Sequence, residues 1–455
     1  MDSGTFLQIP VLSPGAWRPE LALVGGAALV AVAPWRRVAV ERLLALGALA
    51  VSCGLAATSW PAGPMTPMGP HLWVDQAVAA VRLAVVGLGL AVAVTRPAAT
   101  WRRGEGQGLL ILALGGIWLA EAATLTGLLM AVAALVLGDW LMVRASAGHE
   151  EARRRLTTGA LGYGLVAFAG ALWCGLSGSL VLADAPASLA ARPALPPLAL
   201  PGVVTLAAGG LLLAMPGRPL AAAASGRSPD RWAGWTGVAP LLGLSALVPR
   251  VVGGGVETLP PLSLPAALAA VGGLITLGGF TAAMARRDLS SRLAWALGGQ
   301  FGLGLLALSQ LANPGDGAVL TRLMLAAGPA HVAALLTDGS SLRRRGLAPV
   351  LSALLLLSLA GLPPLAGWRP RLDVLNALVD GHSLPWLLVG ALGALLGCLA
   401  YLQPLGSRRM GLHPDEDADV DAAGLPVAPA NLALAAGAVA LLLAWSLGLT
   451  PTVLP

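Results

Sequence analysis

Charged side chains inside long apolar stretches are the residues of this sequence best placed to do chemistry. Glu121, Asp139, Arg218, Arg250, Arg322, Arg369 and Arg371 lie inside or at the ends of such stretches. In hydrocarbon an unpaired charge is expensive, so a charge kept there marks a functional candidate. A carboxyl such as Asp139 or Glu121 can take up and release a proton. An arginine holds a fixed positive charge: it can bias a neighbouring carboxyl or water, but it does not load and unload. Of the five histidines, only His331, in AAGPAHVAALL, falls well inside an apolar stretch. Its ordinary pKa suits a proton relay; a neutral, hydrogen-bonded core histidine is the competing reading.

Arg369 and Arg371 follow a second feature, the interruption at Gly361, Pro363, Pro364 and Gly367 within APVLSALLLLSLAGLPPLAGWRPRL. Proline removes a backbone donor and crowds the preceding turn, so two in succession break or bend a helix. A broken helix beside charge is tolerated in a membrane where it is buried in protein or faces water. The alternative is a helix that ends at Pro363–Pro364, with the arginines in a surface loop.

Composition sets the solvent for these groups. The chain of 455 residues is 56% hydrophobic and 11% charged, with a mean hydropathy of +0.78, whereas soluble domains carry roughly 25% charged residues. The sequence predicts an all-α polytopic membrane protein. The net charge of +6 is carried by arginine alone, because lysine is absent, which excludes any mechanism needing an ammonium group. Basic residues here suit cytoplasmic loops against anionic lipid rather than nucleic acid. Cys53, Cys174 and Cys398 are isolated in apolar runs and read as small core residues with no metal spacing.

A membrane helix needs about 20 mostly apolar residues. Fourteen spans are expected, near 20–33, 38–58, 72–95, 107–121, 123–143, 156–183, 199–217, 233–252, 262–284, 293–312, 318–337, 348–368, 384–404 and 429–449. The arginine clusters fall in the odd-numbered connections, from Arg36, Arg37 and Arg42 in the first to Arg408 and Arg409 in the thirteenth, and the even connections carry few arginines. The even connections carry Asp75, Glu121, Asp184, Glu257, Asp316 and Asp380. The positive-inside rule then puts the odd connections in the cytoplasm and both termini outside.

The remaining motifs are structural. The pairs Gly25–Gly26, Gly209–Gly210, Gly272–Gly273 and Gly278–Gly279 sit in apolar helices and suit close helix packing. Trp35, Trp60, Trp73, Trp101, Trp232 and Trp235 lie near span ends, as interfacial anchors do. There is no P-loop, HExxH or nucleophile elbow. The acidic run Asp415, Glu416, Asp417, Asp419 and Asp421 lacks EF-hand spacing and reads as a solvated loop.

Several stretches in order resemble the antiporter-like subunits of respiratory complex I, above all subunit N. LLSLAGLPPLAGW at 356–368 resembles the family's broken twelfth helix. LTTGALGYGLVAFAGALWCGLSGSL at 156–180 is similar to its sixth, and ARRDLSSRLAWALGGQFGLGLLAL at 285–308 to its ninth-to-tenth connection. Ser228-Pro229-Asp230, LVPRVV at 247–252 and PWLLVGALGALLGCLAYLQPL at 385–405 fit in turn.

The resemblance implies fourteen helices with inverted five-helix repeats and discontinuous helices 7 and 12. It divides the chain into N-terminal helices 1–104, an antiporter-like core 105–410, and an acidic loop with the last helix at 411–455. It also implies a multi-pass place in a bacterial inner membrane, lipid and other membrane-arm subunits as partners, no nucleic acid, and no catalytic residue, metal or cofactor in this chain. The family's proton route uses a helix 5 glutamate and lysines in helices 7, 8 and 12. Those positions fall here on Ala131, Arg218, Leu241 and Arg371, and the helix 10 histidine falls on Gln300. Residues expected to line a proton path are Arg218, Arg371, Arg154, Asp139, Gln300 and His331. The expected function is a non-catalytic subunit taking part in, or scaffolding, proton translocation coupled to quinone reduction. The alternatives are a structural subunit that no longer pumps, or a subunit of a related hydrogenase or cation/proton antiporter complex.

Overall fold

The computed structural model describes residues 18–32, 38–61, 64–66, 71–96, 98–182, 184, 199–214, 232–252, 264–286, 288–310, 317–336 and 347–409. Fourteen α-helices account for most of them. They are α1 (Arg18–Val32), α2 (Val38–Thr58), α3 (Gln76–Thr95), α4 (Glu105–Glu121), α5 (Leu125–Ser146), α6 (His149–Ser177) and α7 (Ala199–Ala214). Then follow α8 (Trp232–Val252), α9 (Leu264–Met284), α10 (Leu289–Leu308), α11 (Gly317–Leu336), α12 (Leu347–Leu359), α13 (Trp368–Asp380) and α14 (Leu384–Arg409). Seven are long and apolar enough to cross a membrane. The described residues form no strand, only isolated bridges such as Leu72–Ala122 and Thr124–Val181.

Helix starts follow local chemistry. Asp75 caps α3 by accepting from the Val78 amide at 2.8 Å, and Asp288 caps α10 from Ser291 at 2.8 Å. Each satisfies a backbone donor that the first turn leaves open. Burial raises the Asp288 carboxyl, but the hydrogen bonds from Ser291 and Ser290 outweigh it and hold the group below its ordinary value.

The first eleven expected spans are present as α1 to α11, each within several residues of its sequence-read bounds. The twelfth is discontinuous, as the resemblance implied, and runs past its expected end at 368. The stretch 348–368 is not one span: α12 stops at Leu359, an irregular turn runs from Ala360 to Gly367, and α13 carries the chain on to Asp380. Arg369 and Arg371 therefore lie on a second half-helix rather than in a loop. The discontinuity expected in helix 7 after Ala214, the last span at 429–449 and the acidic run lie outside the described residues.

Packing is by neighbouring pairs. α4 lies on α1, α5 and α8; α9 lies on α10 and α14; α11 joins α3, α8, α10, α12 and α13. One member of each glycine pair sits at such a contact. A Cβ at Gly279 would lie 2.7 Å from the Gly299 amide nitrogen, and one at Gly272 would lie 2.8 Å from that of Leu306. Backbones can approach this closely only where no side chain intervenes. Leu23, Leu49, Val85, Leu109, Leu135 and Leu242 belong to one continuous core, so α1 to α3 share an interior with α4, α5 and α8. A second core surrounds the break, with Phe280, Leu293, Leu355, Leu359 and Tyr401.

Trp101 departs from its expected role. It is 4% exposed, with the Arg42 guanidinium 5.9 Å from its ring centre, so it packs beneath a cation instead of anchoring an interface.

Candidate functional site

The break between α12 and α13 is assembled from the turn's own backbone and side chains of three other elements. Leu359 and Ala360 end α12 with carbonyls that no longer have helical partners. Gln300, from α10, donates from Nε2 to the Leu359 carbonyl at 3.2 Å. Arg371, the fourth residue of α13, turns back and donates from Nη1 to the Ala360 carbonyl at 2.5 Å. A fixed cation is thus held at the negative end of a half-helix, the favourable sense for a helix dipole.

Gly361 makes this possible. Its φ is +75°, and a Cβ there would meet Arg371 Cδ at 2.6 Å. At the other end of the turn, Gly367 donates from its amide to Ser358 Oγ at 3.3 Å. A Cβ on Gly367 would run into the Ser358 carbonyl. The two glycines flanking Pro363 and Pro364 are therefore needed by the arginine's seat and by the return of the chain.

Tyr401, from α14, completes the group. The Arg371 guanidinium lies 5.8 Å from its ring centre, and its hydroxyl is 3.0 Å from His331 Nε2 on α11. His331 Nδ1 is 2.7 Å from the Ala327 carbonyl. A carbonyl only accepts, so Nδ1 carries the proton, Nε2 is left as acceptor, and the tyrosine donates to it. Arg371, Gln300, His331 and Tyr401 are all buried. The site holds a positive charge permanently beside a hydrogen bond from a phenol to a neutral imidazole. Replacing Tyr401 with Phe should keep the ring over Arg371 but leave His331 Nε2 unpaired, costing about 1–2 kcal/mol. Thermal unfolding in detergent reads this; an unchanged midpoint would show that the hydroxyl contributes nothing.

The other sequence candidates fall elsewhere. Arg154 is exposed on α6, and its neighbour Arg155 is the residue that faces Asp139, at 3.5 Å. Asp139 itself is buried. Arg218 lies outside the described residues. Ala131, at the position of the family's glutamate, is fully buried among apolar neighbours. Arg369 is exposed, and with Arg322 it faces Asp373.

Sequence reasoning missed a second buried charge group. Arg82 of α3 pairs with Glu20 of α1 at 2.9 Å and with Glu121 of α4. Arg250 of α8 donates to the Ala120 carbonyl and faces Asp75 and Glu121. The signal was legible, since Arg82 lies well inside the span read at 72–95. Tyr401 offered none: a tyrosine in an apolar run is unremarkable until its partners are known.

No family model matches the chain. It is similar to curated proteins named NADH-quinone oxidoreductase subunit N: 27% identical to that of Rhizorhabdus wittichii over 85% of this chain and 86% of the relative. Two other alignments are shorter. That of Sphingopyxis alaskensis is 28% identical over 45% of each chain, and that of Polaromonas naphthalenivorans 32% over 37% of this chain and 38% of the relative. In those two the chain spans less than half the relative's length.

The fold matches a chain of respiratory complex I from Thermus thermophilus at a TM-score of 0.69 and 22% identity, covering 96% of this chain and 98% of that one. It also matches a chain of the Mrp complex from Dietzia sp. at 0.71 and 17%, covering 97% and 95%. A chain of the archaeal membrane-bound sulfane sulfur reductase matches at 0.73 and 16%, covering 93% and 75%. The chain is a multi-pass membrane protein with the antiporter-like fold found in multi-subunit membrane complexes.

Proposed function

We propose that this chain, whose sequence is similar to subunit N and whose fold is that of the antiporter-like subunits, is a membrane-arm subunit of a complex I-like quinone oxidoreductase. In this role it takes part in proton translocation and performs no catalytic step itself. The observation that carries the reading is the broken twelfth span with Arg371 seated at its break, joined to Gln300, Tyr401 and His331. A transmembrane helix keeps a gap and a buried cation where ions or protons are handled.

On this reading Arg371 supplies a constant positive field, and His331 and Tyr401 are the groups within it that exchange protons. The arginine-rich connections face the cytoplasm of a bacterial inner membrane, and the termini face outward. The exposed apolar side chains of α6, such as Leu161 and Phe168, and of α14, such as Leu388 and Leu395, are suited to lipid or to neighbouring subunits.

Affinity purification of the tagged chain from its native membrane, in mild detergent, tests the reading. Recovery in a large assembly with other membrane subunits and quinone-reductase activity is the expected result. Recovery of the chain alone, monodisperse and without such activity, would overturn it.

A further inference from the structure

Glu20, Arg82 and Glu121 stand outside the broken-helix site and have no part in its chemistry. They meet where α1 and α3 begin and α4 ends. One guanidinium serves two carboxyl groups: Arg82 Nη2 is 2.9 Å from Glu20 Oε1, and Nε bonds Glu121 Oε1. Both glutamates are 0% exposed and Arg82 is 2% exposed. Both carboxyl groups thus lie against one guanidinium, and Glu20 Oε2 and Glu121 Oε2 accept no hydrogen bond among the described residues.

One guanidinium balances one carboxylate, so two ionised carboxylates on Arg82 leave one buried negative charge uncompensated. Like charges in a low dielectric also cannot both stay ionised cheaply.

The surrounding charges agree. Arg250 faces the pair from α8, together with Asp75, whose carboxylate is engaged by the Val78 amide and by Trp73 Nε1. Glu41 of α2 and Glu105 of α4 are committed elsewhere, to the Gly104 and Gly106 amides and to Arg96. His71 is engaged with Thr124 and Thr126, and Asp139 of α5 with Arg155. With Glu20 and Glu121 both ionised, the group of Glu20, Arg82, Glu121, Arg250 and Asp75 carries one excess negative charge. A single added proton makes it neutral.

We propose that Glu20 and Glu121 share one proton beside Arg82, forming a buried proton-binding site between α1, α3 and α4. The proton adds to a carboxylate oxygen and leaves from it, with no other bond made or broken. Its use in translocation rests on the membrane-arm reading, whereas its occupancy does not.

Infrared spectroscopy of the full chain in lipid nanodiscs, titrated through neutral pH with isotope-labelled glutamate, tests the occupancy. The expected result is a protonated-carboxyl band from glutamate at neutral pH. It should vanish in Glu20→Gln and also in Glu121→Gln, because each leaves a single carboxylate paired with Arg82. Absence of the band in the wild type, or its persistence in both variants, would overturn the site. The wild-type spectrum decides even where a variant fails to fold. Translocation by the assembled complex is read separately. A wild type that shows the band but moves no protons refutes the membrane-arm reading and leaves the site standing.

Discussion

Arg371→Met should lower proton translocation by the assembled complex about tenfold or more, each tenfold step corresponding to about 1.4 kcal/mol. Quinone reduction and assembly should persist. Methionine keeps much of the side-chain volume and loses only the charge and its donors. Those donors bind the Ala360 carbonyl at the end of α12, and the charge lies against the Tyr401 ring. Without it, the positive field at His331 and Tyr401 is lost, and the Ala360 carbonyl loses its arginine donor in a buried turn. Arg371→Lys should retain most of the flux, since a cation remains, though the forked geometry is lost. Proton uptake into proteoliposomes, divided by quinone turnover, is the measurement. An unchanged ratio for Arg371→Met would reduce the arginine to a structural clamp and leave the subunit as a scaffold.

Gly367→Ala should be the most damaging glycine-to-alanine substitution among the described residues, costing about 3 kcal/mol or more. The added methyl would occupy the position of the Ser358 carbonyl oxygen, which is backbone and cannot rotate aside. The turn could accept it only by moving α13 away from α12, which would withdraw Arg371 from Ala360. Yield and thermal unfolding midpoint in detergent report this directly. A variant with wild-type midpoint and intact flux would show that the turn is looser than its contacts imply. Gly361→Ala is expected to act through the same contact from the other side, combining a left-handed backbone with the clash against Arg371.

Much of the membrane architecture was legible because it depends on running composition. Apolar length located α2 at Val38–Thr58 without error and α8 and α9 to within two residues, since hydrocarbon thickness sets that length whatever the neighbours are. The break was legible too, because proline and glycine act on their own backbone. The continuation of the twelfth span to Asp380 was not: α13 mixes charged and apolar residues, and only its packing against α10, α11 and α14 shows that it belongs to the bundle.

The candidate site divides in the same way. Residue type alone established that Arg371 is a fixed cation, that His331 can exchange a proton, and that no lysine takes part. Sequence by itself also determined that these groups lie in apolar surroundings. Which of them meet was decided by tertiary structure. Gln300, His331, Arg371 and Tyr401 come from four helices, and nothing in their spacing says that α10, α11, α13 and α14 converge on one turn. The same holds for Glu20, Arg82 and Glu121, each an isolated charge until α1, α3 and α4 bring them together. The physical reason is range. Hydropathy and backbone sterics act over a few residues along the chain, whereas a buried charge is stabilised by whatever lies within a few ångströms of it in space.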